Sequence, residues 1–354
     1  VSGIALALIA ELVSWFLPAE LQIDLGQHAV TSILQILATS MLAVTTFSLT
    51  TMVSAYSSAA QSGTPRSTQL LISDRTSQNA LSTFVGAFAF SIVGIVALSM
   101  QAFSETGRSL LFLGTLGVIA AVMVTLLRWI SFLTGFGRMA DTIDRVETAA
   151  TRAMRAYVAD PFIGGREWVD PPSTAVRVSS DTSGFLVRVD VAALQRIAER
   201  VDGAVWIARR PGSRVSGHST LAYLSGASDS AARAEAQQAF VIAGHRTFEQ
   251  DPRLGLIALS EISSRALSPG INDPGTAIEA LSALQRVLSC NLTAAPRPQV
   301  TCARVHLPRI DPEDMVIDAF RPTARDGAGC VEVAMRLQRE LGALISEADS
   351  EWTR

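Results

Sequence analysis

The stretch that decides the fold begins as SLLFLGTLGVIAAVMVTLLRWISF (residues 109–132) and continues, after a short break, as MADTIDRVETAATRAMRAY (139–157). The first part is apolar on all sides and has the roughly 20 residues that a helix needs to cross a bilayer. In the second part apolar residues recur every three or four positions, from Met139 and Ile143 to Tyr157, which is typical of a helix with one buried face. We therefore expect a membrane half before this point and a water-soluble half after it.

The composition supports this division. Of the 354 residues 49% are hydrophobic and 17% are charged, whereas an ordinary soluble domain has about 25% charged residues. The deficit lies in residues 1–135. The net charge of −3 predicts no general attraction to nucleic acid. All 29 basic residues are arginine, which excludes lysine Schiff bases and lysine-borne lipoyl or biotin groups.

Apolar segments predict four membrane-spanning helices. They cover residues 1–17, 28–54, 81–101 and 109–132. The first is short for a span, and the chain does not begin with Met, so we expect the start of this helix to be missing. A signal peptide is the competing interpretation, but no basic region or small-residue cleavage site supports it.

The charges of the loops predict the orientation. The loop before the second span has Glu20 and Asp24, whereas the loop after it has Arg66 and Arg75, and Arg138 follows the fourth span. Because positively charged loops stay in the cytoplasm, we expect a multi-pass protein of the bacterial inner membrane with its C-terminal domain in the cytoplasm. Three cysteines, an odd number, favour reduced thiols there.

The second span has a polar stripe along one helical face. Its members recur at spacings of three, four or seven residues and are Ser32, Gln35, Thr39, Thr46 and Thr50, with Ser57 beyond them. One interpretation is a hydrated pore or transport path lined by hydroxyl groups. The other, which we favour, is close helix packing, since small hydroxyl side chains let helices approach and hydrogen-bond.

The remaining chain divides into a connecting amphipathic helix, residues 136–159, and an α+β domain, residues 160–354. GFLVRVD (184–190) alternates like a strand, and further strands are predicted in 203–210 and 219–224. We expect helices throughout 231–290, then a linker, an edge or hairpin strand in 300–310, and final helices.

A short turn, Arg210 to His218, looks like the R-x-G-x-x-V-x-x-G turn of barrel-sandwich hybrid domains, the fold of biotinyl and lipoyl carriers. This resemblance implies shape only, because the carriers modify a lysine. The predicted fold class is therefore membrane α-helical, with four transmembrane helices, plus a cytoplasmic α+β domain that has a small barrel-sandwich-like β section and a helical remainder.

An Asp-Pro pair occurs three times in the C-terminal half, at Asp251, Asp273 and Asp311. Aspartate is a preferred N-cap residue, and proline fits the first position of a helix. Each pair therefore predicts the start of a helix. The second pair ends the decapeptide RALSPGINDP (265–274), which joins two amphipathic helices.

This decapeptide and the segment before it contain the candidate site, a ligand site or a structural turn. The candidate residues are Arg246, Asp251, Arg265, Ser268, Asn272, Asp273 and Thr276. Helix N-termini attract anions, and Arg246 or Arg265 would assist Asn272 and Thr276 there. Alternatively, carboxylate and carbonyl oxygens would hold a cation. The third interpretation, which we favour, is a rigid corner in which Gly270 takes a positive φ and Asn272 satisfies the backbone.

Three segments resemble an uncharacterised family of bacterial membrane proteins, domain of unknown function 2254. They are SRALSPGINDPGTAIEAL, HRTFEQDPRLGL and the membrane segment AVTSILQILATSMLAVTTFSLT. The resemblance covers nearly the whole chain in the same order. The loop after the second span has Thr64-Pro65-Arg66, where the family usually has Ser-Pro-Arg. The resemblance implies an inner-membrane protein with a cytoplasmic C-terminal domain and brings no activity with it.

Enzyme chemistry has little support in the sequence. The four histidines are scattered, which disfavours a nucleophilic triad, and neither CxxC nor HExxH offers a zinc site. No phosphate-binding or dinucleotide motif is present. We therefore expect no catalytic residues, no metal site and no cofactor, and favour a non-enzymatic role.

The sequence thus predicts a homo-oligomeric membrane protein with channel or transport activity and a cytoplasmic regulatory domain. The expected partners are the lipid bilayer, further copies of the chain and a possible protein partner, with no nucleic acid. The alternative is a non-transporting membrane scaffold or regulatory subunit that binds a partner protein.

Overall fold

The computed structural model describes residues 27–62, 64–66, 75–100, 105–135, 138–227, 229–290 and 299–348. By their contacts the residues divide into two units. The first comprises Val1–Ser62 and Thr68–Arg138, and the second comprises Gly63–Ser67 and Met139–Arg354. The short segment after the first long helix therefore groups with the C-terminal unit.

Three long helices form the described part of the first unit. They are α1 (Gln27–Ser62), α2 (Arg75–Ser99) and α3 (Glu105–Gly135). Each contains a segment long and apolar enough to cross a membrane, His28–Ser57, Thr76–Ser99 and Gly107–Leu133. Three of the four predicted spans are thus confirmed, and the predicted span at residues 1–17 lies outside the described residues.

Aliphatic and aromatic side chains hold this bundle together. Leu34 of α1, Phe90 of α2 and Leu111 of α3 are almost fully buried in one cluster. Phe84 and Trp129 are buried in a second cluster. Since lipid is as apolar as these side chains, close packing rather than burial from water holds them together.

The second unit contains seven helices and eight short strands among its described residues. The helices are α4 (Met139–Ala159), α5 (Val191–Arg200), α6 (Ser230–Gln238), α7 (Pro252–Ala266), α8 (Pro274–Ser289), α9 (Pro312–Asp326) and α10 (Val331–Glu347). The strands are β1 (Arg166–Glu167), β2 (Val176–Ser179), β3 (Gly184–Val189), β4 (Val205–Ile207), β5 (Arg214–Val215), β6 (Thr220–Leu224), β7 (Phe240–Ala243) and β8 (Val305–Leu307).

The strands form two small sheets. One has the order β1-β8-β4-β6-β2 and the other the order β5-β3-β7. Leu186, Leu194, Val205 and Leu224 are buried with other apolar side chains beside these sheets. A mixed helical domain with a small β section is therefore observed, in agreement with the coarse prediction.

Two predictions for the β section are wrong. Residues 240–243 form β7, which pairs antiparallel with β3, although helices were expected throughout 231–290. A short apolar run such as FVIA fits a strand as well as a helix, and tertiary pairing decides between them. The strand predicted in 300–310 lies inside its sheet, parallel to β1 and β4, and is neither an edge strand nor part of a hairpin.

Helix α4 packs within the second unit through the predicted apolar stripe. Ile143, Val146, Ala150 and Met154 are buried, and the helix contacts α7 and α8. A Cβ atom on Gly255 of α7 would lie 2.2 Å from the Cβ of Ala150, so glycine permits the close approach of the two helices. Arg138 is not helical, and α3 and α4 are therefore separate helices.

Candidate functional site

The five polar residues of the predicted stripe lie on a face of α1 that the described bundle leaves open. Ser32, Gln35, Thr39, Thr46 and Thr50 are all exposed. The opposite face, which includes Val30, Leu34, Leu37 and Met41, is buried. The predicted stripe residues therefore share one exposed side of α1, which we call the hydroxyl face.

Three threonines of the hydroxyl face donate hydrogen bonds to their own helix. The hydroxyl of Thr39 donates to the carbonyl of Gln35 at 2.9 Å, that of Thr46 to Leu42 at 3.0 Å and that of Thr50 to Thr46 at 3.0 Å. Such bonds satisfy the donor where no water is present. Each hydroxyl oxygen still has lone pairs that accept a hydrogen bond from water or from a neighbouring helix.

The segment Thr64–Arg66, two residues after α1, is anchored in the C-terminal unit. Thr64 is 5% exposed, and the guanidinium of Arg66 forms an ion pair with Glu261 of α7. The Oε2 atom of Glu261 is buried and has no hydrogen-bond partner among the described residues. The sequence contains Arg66 in a family motif, but no local pattern predicts a partner 195 positions away.

Arg246 and Asp251 form a buried ion pair at the start of α7. The guanidinium donates from Nε at 2.7 Å and from Nη2 at 2.9 Å to the carboxylate, which is 2% exposed. The same carboxylate caps the helix by accepting from the backbone N–H of Leu254, as the Asp-Pro pair predicted. Gly212 has a φ of +94°, and a Cβ there would lie 2.5 Å from the carboxylate.

Burial and neighbouring charges shift the pKa of two arginines near this pair. Partial burial lowers the pKa of Arg66 below its ordinary value, Arg246 lowers it further, and Asp251 opposes the shift. Burial also lowers the pKa of Arg210, whose guanidinium donates to the carbonyls of Pro161 at 2.8 Å and Pro308 at 2.6 Å. Both side chains remain charged, since guanidinium does not deprotonate in proteins.

The decapeptide 265–274 forms a turn between α7 and α8. Asp273 caps α8 by accepting from the N–H of Thr276 at 3.1 Å, and the hydroxyl of Thr276 also donates to it. These bonds hold the pKa of Asp273 below its ordinary value, the Thr276 hydroxyl contributing most. Ser268 donates to the carbonyl of Arg265 at 2.7 Å.

The left-handed residue of this turn differs from the predicted one. Asn272 has a φ of +49°, whereas Gly270 is absent from the positive-φ glycines of the described chain. Asparagine tolerates this conformation better than other residues with a side chain. The left-handed residue of the turn therefore lies two residues closer to Asp273 than predicted.

The structure divides the predicted candidate residues between the two ends of α7. Arg246 and Asp251 lie at its first turn, whereas Arg265, Ser268, Asn272, Asp273 and Thr276 lie at or beyond its last turn. A helix of 15 residues is about 22 Å long, so Arg246 does not assist Asn272 and Thr276 in holding an anion. Among the described residues no three of His, Cys, Asp and Glu are grouped to hold a metal ion.

Comparisons with known proteins identify the family. The model of the family described as "Predicted membrane protein (DUF2254)" matches residues 1–343. The chain is 28% identical over 231 residues to uncharacterized proteins of Mycobacterium bovis and Mycobacterium tuberculosis, a match that covers 61% of this chain and 44% of theirs. The chain thus spans less than half the length of these relatives. No solved structure matches. The chain belongs to the DUF2254 family of predicted membrane proteins.

Proposed function

We propose that this member of the DUF2254 family assembles in the bacterial inner membrane and conducts small solutes or ions along the hydroxyl face of α1. The observation that carries the proposal is the exposure of Ser32, Gln35, Thr39, Thr46 and Thr50 on a bundle that buries the opposite face of the same helix. Against lipid the acceptor lone pairs of these side chains stay without a partner, which is unfavourable. A neighbouring copy that covers the stripe removes this cost.

The chemistry of the hydroxyl face favours a weakly selective path. Gln35 and the threonines offer hydrogen-bond acceptors but no charge, and ionisable residues are what mark proton and charge-coupled routes. Uncharged polar groups replace part of the hydration shell of a passing solute. We therefore expect passive conduction and no coupling to a proton gradient.

The segment Thr64–Arg66 supports a regulatory role for the C-terminal domain, which we place in the cytoplasm. Arg66 lies four residues after the last residue of α1 and forms an ion pair with Glu261 of α7. A movement of α7 would therefore move Arg66, which follows α1 by four residues. The barrel-sandwich resemblance of residues 210–218 adds a shape and no chemistry to this role.

Flux through liposomes tests the proposal. Thr46→Leu adds bulk to the hydroxyl face and removes a hydroxyl. Thr51→Leu is the matched control, because Thr51 makes the same bond to its own helix, at 2.9 Å to Phe47, but lies roughly 140° around the helix from Thr46. We expect Thr46→Leu to lower ion flux about tenfold, equivalent to a barrier raised by about 1.4 kcal/mol, and Thr51→Leu to have no effect. Absence of flux in the unmodified protein, or equal flux in both variants, would contradict the proposal.

A second candidate function is a scaffold that binds a protein partner. The observation that favours it is three large apolar side chains on one side of α10, where Val331 is 68%, Met335 50% and Ile345 76% exposed. Exposed apolar side chains that share one surface are a feature of interaction sites. If Met335→Glu and Ile345→Glu release a co-purifying protein while liposomes show no flux, the scaffold function replaces conduction.

A further inference from the structure

Helix α4 has an outer face that no described element covers. The apolar stripe of the helix is buried against α7 and α8. On the other side, a straight row repeats at spacings of four, four, three, four and four residues. It consists of Ala140, Asp144, Thr148, Thr151, Arg155 and Ala159. All six are exposed except Thr151, which is half-buried.

The order of this row reads the same from both ends, apart from the sign of its charges. Around the midpoint between Ala149 and Ala150, Thr148 is the counterpart of Thr151, and Asp144 is the counterpart of Arg155. Ala140 and Ala159 form the outermost pair. Two such helices, laid antiparallel about a two-fold axis at the midpoint, place small residue against small residue and acid against base.

Two charged residues, Glu147 and Arg152, flank the row on opposite sides of the helix. Glu147 accepts from Arg286 of α8 at 2.6 and 2.7 Å, which fixes its carboxylate. Arg152 and Arg155 form no ion pair among the described residues, and both line an open groove of about 740 Å³ together with Asp144 and Glu147.

We infer that this face of α4 pairs antiparallel with the same face of α4 in a second copy of the chain. An isologous contact requires one surface to complement itself, so that residue i meets residue j and residue j meets residue i. The row meets this requirement through Asp144 with Arg155, which lie only about 20° apart around the helix. Alanine and threonine at the remaining positions let the helices approach closely.

The spacing of the row also fits helix pairing. Steps of four and three residues place side chains along one seam of a two-helix contact, and charged residues there set partner and orientation. A parallel pair would bring Asp144 against Asp144 and Arg155 against Arg155, which is unfavourable. The charges therefore select the antiparallel arrangement.

The inference rests on the self-association proposed above but not on conduction. Copies that already associate in the membrane have a high effective concentration, so that a polar contact too small to hold free molecules together is still formed. The contact is electrostatic and weakens as the salt concentration rises.

Cross-linking between two differently tagged copies of the full-length protein tests the pairing in membranes. Cys290→Ser and Cys330→Ser remove the two half-buried thiols, and Cys302 is buried. One copy then has Thr148→Cys and the other Thr151→Cys, and a second set combines Ala140→Cys with Ala159→Cys. We expect a disulfide between copies in both sets. Two copies that both have Ala140→Cys should stay separate, since antiparallel pairing puts these residues roughly 28 Å apart.

Charge reversal distinguishes the ion pairs from simple proximity. We expect Asp144→Arg alone, and Arg155→Asp alone, to lower the cross-linked fraction of the 148/151 set about tenfold, and the two substitutions in one chain to restore it. Arg196→Asp, at an exposed position of α5, is the matched control and should change nothing. Circular dichroism of each variant shows that the helices have formed.

Several results would overturn the inference. One is efficient cross-linking between two copies that both have Ala140→Cys. Another is a disulfide yield between Thr148→Cys and Thr151→Cys no higher than background, in protein that chemical cross-linking shows to be oligomeric. A third is that Asp144→Arg alone and Arg155→Asp alone cross-link as efficiently as the parent. If the expected cross-links form and liposomes show no flux, the proposed conduction is contradicted and the α4 pairing is supported. If flux depends on Thr46 and α4 does not cross-link, the α4 pairing is contradicted and conduction is supported.

Discussion

The two ends of α7 show how one local motif acquires different roles. Asp251-Pro252 begins α7 and Asp273-Pro274, beyond its far end, begins α8. Both aspartates cap their helices through the N–H three residues later. Asp251 is buried and clamped by Arg246, whereas the capping bonds of Asp273 are exposed and its further partner is the hydroxyl of Thr276. The Asp-Pro motif determines where a helix starts, and the surrounding residues determine how much stability the aspartate contributes.

The largest expected loss of stability comes from removing the carboxylate of Asp251 at the buried start of α7. Asp251→Ala removes the cap and leaves the guanidinium of Arg246 without its carboxylate in a site where its side chain is 14% exposed. We expect a loss of about 3–5 kcal/mol of stability, or roughly 10 °C in the thermal midpoint of a domain of this size. Tryptophan fluorescence of the full-length protein in detergent measures the midpoint, because Trp206 is buried in this unit. A loss no larger than that of Asp273→Ala would show that the two ends are equivalent.

Substitutions of Asn272, in the turn after α7, distinguish a structural corner from a ligand site. Asn272→Ala forces alanine into a left-handed conformation, which costs about 1–2 kcal/mol of stability. Glycine adopts the same backbone freely, so the thermal midpoint of Asn272→Gly should be close to that of the parent protein. Thermal unfolding of both variants, with flux or oligomer assays alongside, decides the role of the side chain. If Asn272→Gly is stable but loses activity or assembly, the amide is part of a functional site.

The smallest stability effect is expected from the exposed cap. Asp273→Ala should cost about 1 kcal/mol, the usual value of a capping carboxylate. Since the folded-state pKa of Asp273 lies below its ordinary value of 3.8, the charged form stabilises the fold above about pH 4. This contribution is lost as the pH falls through the lowered pKa.

The variant Asp273→Asn isolates this acid dependence, because asparagine also caps helices but does not titrate. The gap in thermal midpoint between parent and variant should narrow from pH 6 to pH 3. A gap that is constant over this range would mean that the carboxylate is not the titrating group.

The sequence predicted the features that depend on neighbouring residues. The three membrane helices in the described chain, the caps at Asp251, Asp273 and Asp311 and the apolar stripe of α4 all follow from local pattern, and the structure has them. Capping needs one side chain and one turn of helix. Helical periodicity needs only spacing.

Features that depend on distant contacts were not predictable. Phe240–Ala243 is a strand because β3 is available to pair with it, and Val305–Leu307 is interior because β1 and β4 lie on either side. The ion pair of Arg66 with Glu261 joins positions far apart in the chain. In the turn after α7, both Gly270 and Asn272 are residue types that suit a left-handed backbone, and only the structure shows that Asn272 adopts it.

Thr46 and Thr51 form a matched pair in the membrane, as the two Asp-Pro starts do in the C-terminal unit. Both threonines bond to their own helix, but only Thr46 belongs to the hydroxyl face. Labelling with a small hydrophilic thiol reagent tests directly whether this face is hydrated, since the reactive thiolate forms in water and not in lipid. In a background with Cys290→Ser and Cys330→Ser, we predict rapid labelling of Thr46→Cys in membranes and no labelling of Thr51→Cys. Equal labelling at the two positions, or none at either, would contradict a hydrated path along α1.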